Sequence, residues 1–512
     1  MNLKEKEYVI GLDAGTSDLR AVVFDKWGNE IAQSRTSYET FYPNVGWAEQ
    51  DANDWAKALK ATIRCLIRDH GLLPSSIKAL GITHQRETIV PVDESGTPLR
   101  RALLWFDTRA GEQVEWLKKQ LDPEEILKIT GVPPLPGWSL PKILWIKEHE
   151  KEVFDNAHKF LLVSDFLTFL LTDEFKTSWA SACTTQLLDI NKFEWSSKLL
   201  EICQIPISKL PATIPPGEVL GTVTKKFSEE TTLPEGIPVV AGGGDQQCGG
   251  LGTGVTKPGV ASLNLGTSVI LETFLDSPII DSQLRYWLRV ACVPRKYAAE
   301  NGIGGGAYTL KWFKENFGQS ETEIAEKLKI SPYDILMIEA KKAPPGALGL
   351  FVVPYWLGAF SPYYDTSARG VIFGFTGSHR REHLIRAIIE GVAYEVRLNL
   401  ENLEDASKKS VDEIRVYGGG AKSSLWCQII ADICNKKVRV TQTEENTALG
   451  AAILAATSIF YKDVLEAADK MIKIRAEYNP IKENVAFYDK SYNHVYKMLY
   501  QSLKHLFREI PL

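Results

Sequence analysis

Read from its amino terminus, the chain alternates short apolar runs with turn residues, as strands do. YVIGLD (8–13) is apolar enough for a buried strand, AGTSD (14–18) is a turn, and LRAVVFD (19–25) is a second strand. Lys26-Trp27-Gly28-Asn29 turns the chain into EIAQSRTSYET. The period then changes. From Asp51 to His70 apolar residues recur at helical spacing, with Trp55, Leu59, Ile63 and Leu66 on one face and Asp51 placed as N-cap. IKALGIT (77–83) and ETIVPVD (87–93) return to strand. Three strands, a helix and further strand–helix alternation predict an α/β fold around a mixed sheet.

The opening pattern returns near residue 260, where VASLNLGTSVILETF is again strand, Gly-Thr-Ser turn, strand. A second echo pairs PVVAGGGDQQCGG with IRVYGGGAKSSLW, each an apolar strand running into three glycines before a predicted helix. Two repeats in the same order predict two similar domains facing each other, 1–250 and 251–512, divided within GGLGTGVTKPG.

At 512 residues the chain exceeds the usual single domain of about 100 to 200 residues. The 59 basic and 64 acidic residues leave a net charge of −5, without the basic excess that nucleic acid or anionic lipid requires. The most apolar stretches, FLLVSDFLTFLL and ALGLFVVPYWLGAF, carry Asp165 and Pro354 and fall short of the roughly 20 residues that span a bilayer. Seven scattered cysteines without CxxC spacing read as small core residues in a reducing compartment. The expectation is a soluble, cytoplasmic protein.

Candidate chemistry gathers at the glycine turns. Gly15-Thr16-Ser17 and Gly266-Thr267-Ser268 offer backbone N–H groups and hydroxyls to phosphate oxygens. Asp13, just before the first turn, is a candidate ligand for Mg²⁺. The three-glycine turns suit a nucleotide at a helix N-terminus, and each of the four could equally be a tight turn and nothing more. Neither a Walker A pattern nor a GxGxxG after the first strand is present. Asp245, at a predicted helix start, can take a proton from a hydroxyl nucleophile or cap the helix. Arg86-Glu87 sets a cation beside an acceptor, suited to vicinal hydroxyls or to a surface ion pair. His379-Arg380-Arg381-Glu382-His383 matches the HxxEH spacing of zinc peptidases. No third ligand stands near it, and it reads as a chance match at a helix start.

Taken in order, these segments resemble the FGGY carbohydrate kinases from about residue 8 to 457. GLDAGTSDLRAVVFD (11–25) is similar to the family's first phosphate hairpin, and GWSLPKILWIKEH (137–149) and GVIFGFTGSHRREHLIRAIIE (370–390) to its two signatures. GGGDQQ (242–247) and GGGAKSSLWCQIIAD (418–432) resemble its catalytic and adenosine segments. The resemblance implies two ribonuclease-H-like domains of the actin-like ATPase architecture, with ATP and sugar in the cleft between them. It implies that Asp13 and Asp245 lie near Mg²⁺ and that Asp245 deprotonates the sugar hydroxyl. Gly15, Thr16, Ser17, Arg20, Gly266 and Thr267 would hold ATP phosphates, Gly306 would be a further nucleotide contact, and Gly419, Gly420 and Ser424 would line the adenosine pocket. Arg86, Glu87, Trp105, Asp107, Asp245 and Gln246 are the implied substrate contacts.

For the substrate, THQRETIV and GGDQQ look like glycerol kinases. Two positions depart from them. The tyrosine that glycerol kinases carry before the first signature's lysine stands here as Gly137, beside Trp138, and their phenylalanine after the second phosphate turn stands as Ile270. Smaller residues leave room for a longer substrate, and GGGAKSSLWCQIIAD is closer to xylulokinases and autoinducer-2 kinases. The expected activity is ATP-dependent phosphorylation of a small ketose or polyol such as a xylulose-like pentulose. Glycerol is the alternative, and a non-catalytic sensor or structural protein on the same fold is the second class. A homodimer stays open as an assembly state.

Overall fold

The computed structural model describes residues 7–511. β1 (Tyr8–Ala14) pairs antiparallel with β2 (Asp18–Asp25), and β2 with β3 (Glu30–Ser37). Helix α1 (Ala52–Asp69) is capped by Asp51, whose carboxylate accepts from the Asn53 N–H. Its predicted face is fully buried: Trp55, Leu59, Ile63 and Leu66 pack on the sheet, each contributing on the order of 1.5–3 kcal/mol by leaving water. β4 (Ile77–His84) lies parallel to β1. Residues 85–218 add short strands and helices, among them α2 (Ser139–His149). β5 (Val219–Thr222) and β6 (Pro238–Val240) then complete a six-stranded sheet in the order β5-β6-β4-β1-β2-β3.

Helix α3 (Asp245–Thr253) leads to a second sheet. β7 (Val260–Leu265) and β8 (Val269–Leu275) form its hairpin, and β9 (Trp287–Val290) and β10 (Tyr297–Ile303) extend it antiparallel. Helices α4 (Gly306–Phe317) and α5 (Arg381–Ser407) follow. β11 (Glu413–Tyr417), α6 (Ser424–Cys434), β12 (Lys437–Thr441), α7 (Asn446–Thr457) and β13 (Ile474–Tyr478) complete the order β9-β10-β8-β7-β11-β12-β13. Without the edge strand β9 both sheets share one plan: a three-stranded antiparallel meander, two parallel strands, and an antiparallel edge strand.

The Gly-Thr-Ser hairpins occupy equivalent places, between β1 and β2 and between β7 and β8. The three-glycine echo is not equivalent. Gly242–Gly244 follow β6, whereas Gly418–Gly420 follow β11, whose counterpart is β4.

Two helices join the sheets. α7, from the second half of the chain, lies on β1 and β4, while α3 reaches back to β7 and β8. Helix and sheet touch backbone to backbone: a Cβ at Gly81 would sit 2.0 Å from the Ala451 carbonyl oxygen. The two helices cross as closely, since a Cβ at Gly252 would meet the Asn446 carbonyl at 1.9 Å and one at Gly450 the Cys248 carbonyl at 1.9 Å. The division expected at residue 250 falls inside α3, and the chain leaves this helix at Gly254.

Gly81→Ala forces the β4–α7 contact apart and should destabilise the protein by about 1–3 kcal/mol. Gly111→Ala, whose Cβ meets nothing within 4 Å, should be neutral or slightly stabilising. Urea unfolding of the two variants checks the pair.

Candidate active site

Parallel strands that end on one side bring their following residues together. β1 ends at Asp13-Ala14, β4 runs into Gln85-Arg86-Glu87, and β6 runs into Gly242–Gly244 and Asp245. A bridge between His84 and Gly244 sets the last two ends side by side. The glycines here serve close approach: a Cβ at Gly242 would meet the Ile82 carbonyl at 1.8 Å, and one at Gly244 the Arg86 side chain at 2.3 Å. The strand ends face β8, β9 and β10 across a cavity of about 460 Å³ lined from both halves.

Arg86 lies deep in this cavity. Its guanidinium donates to Glu300 on β10 through Nη1 (2.7 Å) and Nη2 (3.1 Å), and its Nε lies 3.4 Å from Asp245 Oδ1 and 3.8 Å from Glu87 Oε1. A two-bonded carboxylate fixes the plane of the guanidinium. Glu87 holds a left-handed backbone with φ of 62°, costly for a residue other than glycine and characteristic of functional sites. Its carbonyl accepts from Ser139 Oγ (2.9 Å) and Lys142 Nζ (3.2 Å), both on α2. Burial pushes the Lys142 ammonium down to about 7. Arg86 and Glu87 are therefore a buried site pair, not a solvated surface one.

Asp245 is the first residue of α3, where the helix dipole favours an anion. Its Oδ1 accepts from the Gln246 N–H at 2.8 Å, and 36% of the side chain remains exposed. Burial holds its carboxyl above the ordinary range while Arg86 pulls the other way. Asp13 is pushed up to about 7, first by burial and then by repulsion from Asp245. Its Oδ1 is buried without a hydrogen-bond partner.

The other expected residues divide. Thr16, Trp105, Gln246, Gly266 and Thr267 line the cavity. Trp105, 45% exposed, donates from Nε1 to Thr16 Oγ1 at 3.0 Å. Gly15 closes the first hairpin, its N–H donating to the Asp18 carbonyl, and Ser17 is exposed at the tip. Arg20 pairs with Glu445, the residue before α7. Gly306 opens α4 beside Val269, and Gly419 and Gly420 follow β11. Ser423 caps α6 by accepting from the Trp426 N–H, leaving Ser424 exposed in the first turn.

Asp107 does not reach the cavity. It is fully buried, and its oxygens accept from the Ala48 N–H (2.7 Å), the Arg109 N–H (3.0 Å) and the Arg109 guanidinium. It shapes the turn that presents Trp105 and is a structural anchor. His379 and His383 each spend Nδ1 on a backbone N–H, of Thr376 and Arg380. Among the described residues no group of three or more His, Cys, Asp or Glu could hold a metal alone.

Trp287, Arg289, Glu300 and Tyr364 are among the cavity residues that the sequence did not flag. The available signal was a charged residue inside a strand run, Arg289 in WLRV and Glu300 in YAAENGI.

Comparison with known proteins accords with this geometry. Residues 8–252 match the N-terminal domain of the FGGY family of carbohydrate kinases, and residues 261–459 match its C-terminal domain. The chain belongs to the FGGY family. This FGGY kinase is 31% identical to a xylulose kinase of Staphylococcus epidermidis over 98% of each chain. It is 28% identical to a gluconokinase of Bacillus subtilis over 94% of this chain and 93% of that one. Among solved structures, the ligand-bound xylulose kinase of Lactobacillus acidophilus superposes with a TM-score of 0.88 at 25% identity, covering 98% of this chain and 99% of that one. The protein is thus a phosphotransferase that uses ATP and a sugar hydroxyl, on the two-domain FGGY fold, consistent with the actin-like ATPase architecture. Among the described residues no helix is long and apolar enough to cross a membrane.

The raised Asp13 carboxyl has a stability consequence. The folded protein holds this proton up to about pH 7, whereas an ordinary aspartate releases it near 3.8. Fewer protons are bound unfolded than folded in that window, so stability falls as pH rises through it. Asp13→Asn should melt higher than the wild type at pH 8 and show no such gain at pH 3.5. Thermal unfolding at the two pH values decides it.

Proposed function

We propose that this FGGY kinase transfers the γ-phosphoryl group of ATP to a hydroxyl of a small open-chain ketose, a xylulose-like pentulose. The carrying observation is the charged row at the cavity floor. Asp245 stands at one end, next to Arg86, which stands next to Glu87. A base, a donor fork and an acceptor in sequence suit a chain of neighbouring hydroxyls. Asp245 takes the proton of the attacking hydroxyl as its oxygen bonds to phosphorus and ADP leaves. Its raised affinity for a proton suits that role. Arg86 donates to substrate oxygens from a plane set by Glu300, and Glu87 accepts from a hydroxyl.

The walls favour a substrate longer than glycerol. Gly137 and Ile270 both line the cavity, and no side chain fits at 137, where a Cβ would meet the Trp105 carbonyl at 2.6 Å. The xylulose kinase relatives support the same substrate class. Thr16, Gly266 and Thr267 form the phosphate face on the two hairpin turns. Asp13 and Asp245 would hold Mg²⁺: Asp13 Oδ1 lacks a partner, and a shared cation relieves the repulsion between the two acids. Bound there, Mg²⁺ would neutralise charge on the phosphate oxygens. All seven cysteines are free thiols, six of them buried, which fits a reducing cytoplasm.

A coupled ADP-release assay across glycerol, erythritol, ribulose, xylulose and gluconate tests the reading. A five-carbon ketose should give the highest kcat/KM; a preference for glycerol would overturn it. Asp245→Asn should lower kcat by about 10² to 10⁴-fold while nucleotide still binds. Glu87→Gln should raise the sugar KM roughly tenfold and leave the ATP KM close to wild type, reflecting one lost charged hydrogen bond.

A further inference from the structure

One end of the cavity holds buried donors that make no hydrogen bond, although the charge of one of them, Arg289, lies 3.5 Å from Glu87. Arg289, on β9, has 1% of its side chain exposed, and none of Nε, Nη1 or Nη2 makes a hydrogen bond. The indole Nε1 of Trp287, two residues earlier on the same strand face, is also buried and unpartnered. Both residues line the cavity. The Arg289 guanidinium lies over Trp138, 4.6 Å from the ring centre, and 5.6 Å from that of Trp287. Trp287 in turn stacks on Tyr364. The rings fix the cation and exclude water, so solvent does not satisfy it.

Guanidinium and indole N–H groups donate and cannot accept. Leaving such donors buried and unused is costly. That cost is removed when the bound substrate brings the acceptor. The position says which part of the substrate this is. Glu87 Oε1 lies 3.8 Å from Arg86 Nε and 3.5 Å from Arg289 Nη2, and Arg86 Nε lies 3.4 Å from Asp245. The row runs Asp245, Arg86, Glu87, Arg289. A substrate whose reacting hydroxyl sits at Asp245 and which extends past Arg86 and Glu87 would bring its other end to Arg289 and Trp287.

We infer that Arg289, assisted by Trp287, is a specificity-determining residue that receives a C=O group at the substrate end remote from the phosphorylated hydroxyl. The inference rests on the sugar-kinase reading of this cavity and adds the direction in which the substrate lies. A ketone oxygen or a carboxylate presents lone pairs and no proton to these donors. A polyol hydroxyl brings a proton for which this end offers no acceptor beyond Glu87. A ketose and an aldonate offer an acceptor with no proton to place, whereas a polyol hydroxyl accepts more weakly and must also turn its proton to Glu87.

The test uses the whole enzyme and three acceptors built on one carbon skeleton: xylulose with its carbonyl, xylonate with a carboxylate, and xylitol with hydroxyls only. Wild-type kcat/KM for the better of the first two should exceed that for xylitol by about 10- to 100-fold, the worth of one charged hydrogen bond. Which of the two is better separates carbonyl from carboxylate. This comparison does not depend on any variant folding. In Arg289→Met the ratio of that compound to xylitol should fall about tenfold through KM, with Arg289→Lys intermediate. Equal use of xylitol by the wild type, or an unchanged ratio in folded Arg289→Met, overturns the inference. Absence of acceptor-dependent ADP release with every sugar tried would instead bring down the sugar-kinase reading, and the inference with it.

Discussion

The site depends on a contact between two helix backbones. α3 and α7 cross at Gly252 and Gly450, where no side chain could be inserted without displacing a carbonyl. Ordinary helix pairs keep their axes about 8–10 Å apart because side chains stand between them. Three glycines in the nine residues of α3 each weaken the helix by roughly 1 kcal/mol relative to alanine. The close crossing is what they make available. It ties Asp245, the first residue of α3, to the helix that lies against β1 and β4. Those strands end in Asp13 and in the Arg86-Glu87 pair, so one contact sets the position of all four charged groups.

A second tie spans the cavity. Arg86 leaves the end of β4 in the first sheet, and Glu300 stands on β10 in the second. A buried ion pair adds little net stability, because desolvation consumes most of the attraction. Its effect here is geometric. With Nη1 and Nη2 committed to Glu300, Nε is left facing Asp245 and Glu87. The remaining charges are poorly compensated, as expected of a site that awaits ligands: Asp13 is driven toward neutrality, and Arg289 makes no hydrogen bond and has only Glu87 at 3.5 Å. Charges that the protein leaves unmatched are those for which a substrate can supply partners.

Local pattern and tertiary packing contribute separately to this picture. The hairpin from Tyr8 to Asp25 and the buried face of α1 follow from spacing alone, since period and turn chemistry act within a few residues. The three-glycine turns were misleading as a pair. Gly242–Gly244 answer to the crowding of Ile82 and Arg86, and their resemblance to Gly418–Gly420 does not reflect equivalent strands. Asp107 misled in the opposite direction. It sits two residues from Trp105 in sequence, yet its carboxylate turns away to the Arg109 fork and the Ala48 amide.

By itself the sequence determined the α/β plan, the duplicated hairpin, the family, and the residues that carry charge at strand ends. Each of these is written in periodicity or in contiguous motifs. Only the tertiary structure decided that α7 from the second half completes the packing of the first sheet, that Glu300 holds Arg86, and that Arg289 closes the row begun by Asp245. Residues 86, 245, 289 and 300 are brought together by strand order and by a helix crossing. Such pairings depend on which backbones approach closely across as many as 214 positions of chain, a distance over which local spacing carries no information.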